Sequence, residues 1–335
     1  MYVLLTRQFL LIFSLKKKIP FLCALDSLKK SKLTFPLGIA YSGGADSTIL
    51  LHAASQLWPG QVRAIHVHHG LQDEGDNFAC HCKRECAIIG VPLLIARVQC
   101  KNVKGQSPEE AARVARYRAL ASEAAIQGVN MVALGHHADD QVETLLLALS
   151  RGAGAPGLAG MPIKFERFGT VFVRPLICMN AENIRKELKE IGVAYLHDPS
   201  NDNLEYTRNK IRHRLLPILA EVFPHYRETF TRSARNMAMA QELLTQAAVE
   251  LKEVVGSFPK ITVLQSLSRA SQGNVLRFWL KNDFGAIGSE AQMNELLNQI
   301  EHCTNRSKDI RMKIADGFIK RHGLVLKFSS SAPTI

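Results

Sequence analysis

A six-residue run, Ser42-Gly43-Gly44-Ala45-Asp46-Ser47, constrains this chain more than any other feature. An apolar strand pattern over residues 35–41 precedes it. A helical pattern over residues 48–57 follows, with apolar residues at 49, 50, 53, 54 and 57. Strand, tight small-residue turn and helix in that order aim backbone N–H groups and a helix N-terminus at one point, which makes an anion site. The glycines permit the sharp turn. Ser42 and Ser47 add hydroxyl donors, and Asp46 is placed to hold a Mg²⁺ that bridges phosphates. The run is neither a Walker A loop, since no Gly-Lys-[Ser/Thr] closes it, nor a G-x-G-x-x-G turn.

The pattern around the run repeats. Further strands are predicted over residues 61–67, 93–98 and 131–134, with helices around 75–89, from Ser107-Pro108-Glu109-Glu110 to about 126, and over 139–150. Strands alternating with helices of this length predict an α/β fold, a parallel doubly wound sheet covered on both faces. A Gly/Ala/Pro-rich loop over 152–162 precedes a strand near 170–173 and a helix over 181–191. After Pro217 the alternation weakens. A long helix is predicted over 230–255, then helices near 273–283 and 288–301, with strand-like ends at 309–314 and 322–328. The expected organisation is an extension over residues 1–20, a catalytic domain over 21–219 and an α-rich second domain over 220–335.

The second chemical motif is Gly135-His136-His137-Ala138-Asp139-Asp140-Gln141-Val142-Glu143-Thr144, at the carboxyl end of the fourth strand. Open α/β sheets bind ligands there. Asp140 and Glu143 are three apart on a helix and share a face near its N-terminus. Acids in a first turn also complement the helix dipole, but that leaves the paired histidines unexplained. The carboxylates suit either Mg²⁺ or an incoming ammonium group.

The whole hexapeptide in its strand–helix setting resembles the pyrophosphate loop of the ATP pyrophosphatases, which split ATP between the α and β phosphates. With the acidic motif, the chain is similar to the tRNA(Ile)-lysidine synthases of that superfamily. Further matches run in order: His66-Val67-His68-His69-Gly70-Leu71, Glu110-Ala111-Ala112-Arg113-Val114-Ala115-Arg116-Tyr117, Arg151-Gly152-Ala153-Gly154, Arg174-Pro175-Leu176, Asp198-Pro199-Ser200-Asn201 and Tyr206-Thr207-Arg208-Asn209-Lys210-Ile211-Arg212. The resemblance covers roughly residues 35–217 and thins beyond 220. It implies ATP and Mg²⁺ as cofactors, with tRNA(Ile) and free L-lysine as partners. ATP activates C2 of the first anticodon cytidine as an adenylate, and the lysine side-chain amine then displaces AMP to give lysidine. It also implies ATP binding by Ser42, Gly43, Gly44, Ala45, Asp46 and Ser47. The resemblance further implies Asp46, Asp140, Glu143 and Arg208 as the catalytic set, with Arg116, Asp140, Glu143 and Arg208 around cytidine and lysine. Arg212 shares a face with Arg208 if the segment is helical, and is the weaker candidate.

Charge agrees with a nucleic-acid partner: 42 Lys and Arg against 30 Asp and Glu give +12. The seven cysteines, odd in number and unevenly spread, fit a reducing compartment rather than a disulfide framework. The apolar run over residues 9–15 is too short to span a bilayer, so no membrane partner is expected and the cytoplasm is the default. The sequence sets no oligomeric state. His66, His68 and His69 read as cleft or core polar residues rather than zinc ligands. The C-x-C-x₃-C spacing of Cys80, Cys82 and Cys86 matches no standard metal pattern. Met237 and Met239 read as packing residues. Two alternatives remain at this point. A tRNA thiolase would need a cysteine pair to carry sulfur, and no C-x₂-C occurs. A basic RNA-binding protein with a vestigial loop would not need Ser42, Asp46, Ser47, Asp140 and Glu143.

Overall fold

The computed structural model describes residues 34–68, 74–98, 108–304 and 310–330. The expected N-terminal extension, His69 and the Ser107 helix cap lie outside them. The chain forms two compact units, Met1–Arg235 and Asn236–Ile335, divided within one long helix, Tyr226–Val255.

The first unit is built on six strands: β1 (Leu37–Ala40), β2 (Val62–His68), β3 (Leu93–Arg97), β4 (Met131–Ala133), β5 (Lys164–Arg167) and β6 (Thr170–Val173). Their order is β3-β2-β1-β4-β6-β5, and all pairings are parallel except β5 with β6. Side chains alternate across the sheet as the strand period demands. Leu37, Ile39, Met131 and Ala133 enter one apolar cluster, with Ile49, Leu50 and Ile184 of the covering helices. Ile65, Val132 and Phe172 enter another, with Tyr117 and Leu120. Both faces are therefore buried, as the sequence pattern predicts.

The covering helices include α1 (Ala45–Leu57), α2 (Glu74–Ile89), α3 (Pro108–Ile126) and α4 (Ala138–Ser150). After the short turn α5 (Ala155–Leu158) come α6 (Ala181–Ile191), α7 (Thr207–Lys210), a π-helical turn Ile211–Leu215, α8 (Leu216–Val222) and α9 (Tyr226–Val255). Helix α1 starts three residues before its apolar pattern. The Gly44 carbonyl already accepts Thr48 N at 3.0 Å, so Asp46 and Ser47 belong to the first helical turn. Strand β5 is absent from the sequence reading because it is a half-exposed edge strand with three charged residues, in which Phe165 alone turns toward the Tyr117 and Phe172 cluster. It joins β6 through Phe168 and Gly169, both at positive φ (53° and 72°), as a two-residue hairpin of matching twist requires.

The chain leaves β1 for β2 and β3 on one side, then returns to β4 on the other. The crevice at the carboxyl ends of β1 and β4 is thus the topological switch point, and both chemical motifs open onto it. Behind α4, Val142 packs with Ile211, Leu216 and Tyr226, which fixes the α7–α8 segment against the acidic helix.

In the second unit α10 (Ile261–Ser266), α11 (Arg269–Phe284) and α12 (Glu290–Glu301) accompany an antiparallel meander, β7 (Arg311–Ile314), β8 (Gly317–His322) and β9 (Val325–Ser330). Its core gathers Val275, Leu276, Trp279, Leu296, Ile300, Ile319 and Leu326, and Trp279 Nε1 donates to Ser257 O at 3.0 Å. Met239 does not pack as expected. It is 54% exposed, on a stretch of α9 that also shows Leu243 and Leu244 to solvent.

Candidate active site

The loop after β1 is tied internally so that its outward groups stay free for a ligand. Ser47 Oγ donates to Gly44 O at 3.0 Å and accepts from Ser42 N at 3.1 Å, and the two serine hydroxyls lie 3.0 Å apart. Gly43 sits at φ 88°, where a side chain would be strained and would also meet Cys82 Sγ at 3.2 Å. Gly44 enters α1 in extended conformation without any side-chain cap. The first-turn N–H groups of a thirteen-residue helix are therefore left to an external acceptor.

The loop after β4 lies directly against it. A Cβ on Gly135 would stand 3.0 Å from Asp46 C and 3.0 Å from Ser47 N, so these two backbones meet only because residue 135 lacks one. His137 then caps α4, its backbone N donating to Asp140 Oδ2 at 3.0 Å. Its buried ring is surrounded by acids. Nε2 is 3.7 Å from Asp46 and 3.5 Å from Asp140, and Nδ1 is 3.6 Å from Asp139. Burial raises the Asp46 carboxyl above its ordinary value; His137 opposes this and Asp140 adds to it. Burial would also raise Asp140, but His137, Arg208 and Arg212 outweigh it and hold that carboxyl well below the usual range.

Glu143, with no exposed surface, is held by two arginines from the α7–π segment. Arg208 Nε donates to Oε2 at 2.7 Å. Arg212 donates through Nε to Oε1 at 2.6 Å and through Nη2 to Oε2 at 3.0 Å, and reaches Asp140 Oδ1 at 3.1 Å. Arg212 is thus engaged more fully than Arg208 within the chain, and neither is an ordinary surface cation. Arg116 is half-buried on α3. Burial lowers its guanidinium below the ordinary value, and the neighbouring charge of Arg208 adds to the effect.

Asp139 turns away from this group. It accepts Ala181 N at 2.9 Å, Tyr226 Oη at 3.2 Å and Arg227 Nε at 2.6 Å. Consecutive helical residues point about 100° apart, and Asp139 and Asp140 pair with different arginines, although both stay near the His137 ring. Arg174, at the end of β6, donates to His136 Nδ1 at 3.3 Å, Pro162 O at 2.6 Å and Tyr117 Oη at 3.3 Å. An imidazole that accepts from a guanidinium must be neutral, and burial pushes His136 down to about 3.

Comparison with known proteins adds a PP-loop domain model that matches residues 21–219. The tRNA(Ile)-lysidine synthase of Polaromonas naphthalenivorans is 50% identical over 316 residues, covering 93% of this chain and 96% of that protein. The chain belongs to the tRNA(Ile)-lysidine synthase family. The synthase of Bordetella pertussis is 35% identical over 85% of this chain and 92% of its own length. That of Burkholderia pseudomallei is 38% identical over 79% of this chain, which spans little more than half (56%) of that longer relative. The U34-tRNA thiolase NcsA of Methanococcus maripaludis has a similar fold, with TM-score 0.54 and 16% identity over 62% of this chain and 73% of that one.

Other polar side chains near the loop of this lysidine synthase family member have neighbours within the chain. His66 Nδ1 donates to Tyr41 O at 2.9 Å and has Cys82 Sγ at 3.5 Å. His68 Nε2 is 3.3 Å from Asp76. Cys82 and Cys86 are buried, their thiols pushed up to about 12 chiefly by burial, while Cys80 is exposed. Among the described residues no group of three His, Cys, Asp or Glu side chains is arranged to hold a metal. No helix among them is long and apolar enough to cross a membrane.

Proposed function

We propose that this chain ligates free L-lysine to C2 of the first anticodon cytidine of tRNA(Ile) bearing a CAU anticodon, through an adenylated base. The observation that carries the reading is the meeting of loop and acidic helix at one imidazole, His137, within 4 Å of both Asp46 and Asp140. Such a reaction activates and ligates at a single atom, so the phosphate site and the amine site must adjoin. In the first step the cytidine C2 oxygen attacks the α-phosphate and pyrophosphate leaves toward the loop over residues 42–47. In the second, the lysine side-chain amine attacks C2, and the C2 oxygen departs with AMP. Arg116, Arg208 and the α1 N-terminus supply positive charge to the phosphates. Asp140 and Glu143 supply negative charge to the lysine.

Mg²⁺ fits Asp46. The carboxylate is a hard oxygen donor, its anion is under-compensated by burial, and His137 at 3.7 Å is too far to hydrogen-bond it. The bound ion would neutralise phosphate charge. The reading places the reaction in the cytoplasm, with tRNA, ATP and lysine. Incubation with ATP, labelled lysine and unmodified tRNA(Ile), followed by nucleoside analysis, tests it. Lysidine that appears only with ATP is expected, and a folded protein that leaves the cytidine unmodified would overturn the reading.

A further inference from the structure

Glu143 has no exposed surface, and three charged donor bonds already end on it: Arg208 to Oε2, and Arg212 to both oxygens. A carboxylate offers about four lone-pair sites. One of those sites remains, but Glu143 has no exposed surface, so an ammonium group reaches it only where a covering arginine moves aside. The two arginines differ in grip. Arg212 holds Glu143 with two bonds and Asp140 with a third. Arg208 holds Glu143 with one short bond; its remaining bonds, to Thr144 Oγ1 and Asp140 O, are 3.3 and 3.4 Å long, and its Nη2 stands 3.8 Å from Asp140 Oδ1, against 3.1 Å for Arg212. Arg208 is also a third exposed and stands near another guanidinium, Arg116, whose charge opposes its own. An anion arriving beside Arg116 would attract Arg208 away from the carboxylate.

We propose that Arg208 is a tethered occupant of the ammonium subsite at Glu143, and that it yields to the lysine side chain once nucleotide phosphate draws it toward Arg116. Lysine affinity is then set by nucleotide occupancy, and Arg208 is a specificity-determining residue that keeps free amines out of the empty enzyme. The proposal rests on the reading that Glu143 receives the lysine.

Equilibrium binding of L-lysine to the full-length protein, with and without a non-hydrolysable ATP analogue, tests both. Wild type should bind lysine more tightly with the analogue. Arg208→Met should bind it about tenfold more tightly than wild type without nucleotide, since the competing state is removed, and should gain nothing further from the analogue. Arg208→Lys keeps a tethered cation and should behave as wild type, which separates competition from a packing change. Glu143→Gln should lose lysine binding in both conditions. If Glu143→Gln keeps wild-type lysine affinity, the subsite reading itself fails. If Glu143→Gln loses binding while Arg208→Met binds no more tightly than wild type, the exchange alone is overturned.

Discussion

Arg212 grips Glu143 with two donors, Nε 2.6 Å from Oε1 and Nη2 3.0 Å from Oε2, across a sequence separation of 69 residues. The carboxylate is fully buried, so the pair joins the π-helical turn after α7 to the acidic helix as firmly as a packing contact would. Removing one side of a buried ion pair leaves the other under-compensated. Arg212→Met is therefore expected to destabilise the fold by about 3 kcal/mol, read from denaturant midpoints. A loss below about 1 kcal/mol would mean that Arg208 alone satisfies Glu143.

Asp46 lies in the first turn of α1 and is the carboxylate that faces the proposed phosphate position. Asp46→Asn should abolish adenylate formation, measured as ATP–pyrophosphate exchange in the presence of tRNA, while the thermal transition stays in place. Near-normal exchange in a folded variant would remove Asp46 from the chemistry.

His136 gives a pH signature. Its folded-state value lies near 3 because burial disfavours the charged ring, whereas an unfolded histidine titrates near 6.5. Between those values the unfolded chain binds the extra proton, so stability is full above about pH 6.5 and falls as pH drops below it. From pH 7 to 4.5, wild type should lose about 2.5 kcal/mol more stability than His136→Asn. Asp140 is depressed, so its contribution is present above about pH 4 and lost only below that value, outside this window. Parallel pH profiles for the two proteins would mean that the folded chain takes up a proton at His136 as readily as the unfolded one.

The second unit carries Arg269, Arg277, Lys281, Lys313, Lys320 and Arg321 among its cations. If these meet tRNA phosphates, a chain ending at Arg235 should bind tRNA more weakly and with a flatter dependence on salt, because fewer counterions are released. The cut belongs at Arg235 rather than near 220, since Tyr226 and Arg227 anchor Asp139. Equal salt slopes for the full and shortened chains, with ATP binding intact in both, would show that the second unit does not touch RNA.

The sheet and the loop were legible because both are local: apolar strands, small-residue turns and helix patterns announce themselves within ten residues. Strand β5 was not, because a single inward residue, Phe165, makes no periodic pattern. The partners of the acidic helix were not legible either. Asp139, Asp140 and Glu143 stand within five positions of one another, yet one is claimed by Arg227 and the others by Arg208 and Arg212. Nothing in the local sequence names those distant partners. The choice is made by the Val142, Ile211 and Tyr226 packing that sets the α7–α8 segment against α4.

The contact between Gly135 and the Asp46–Ser47 backbone sets a tolerance on the whole site. The obstructing atoms are main chain, which cannot rotate aside as a long side chain can. A single methyl group at position 135 would act as a shim, widening the gap between nucleotide and amine. The rate of ligation would then report a spacing of tenths of an ångström, while each half of the site, assayed separately, would still hold its ligand.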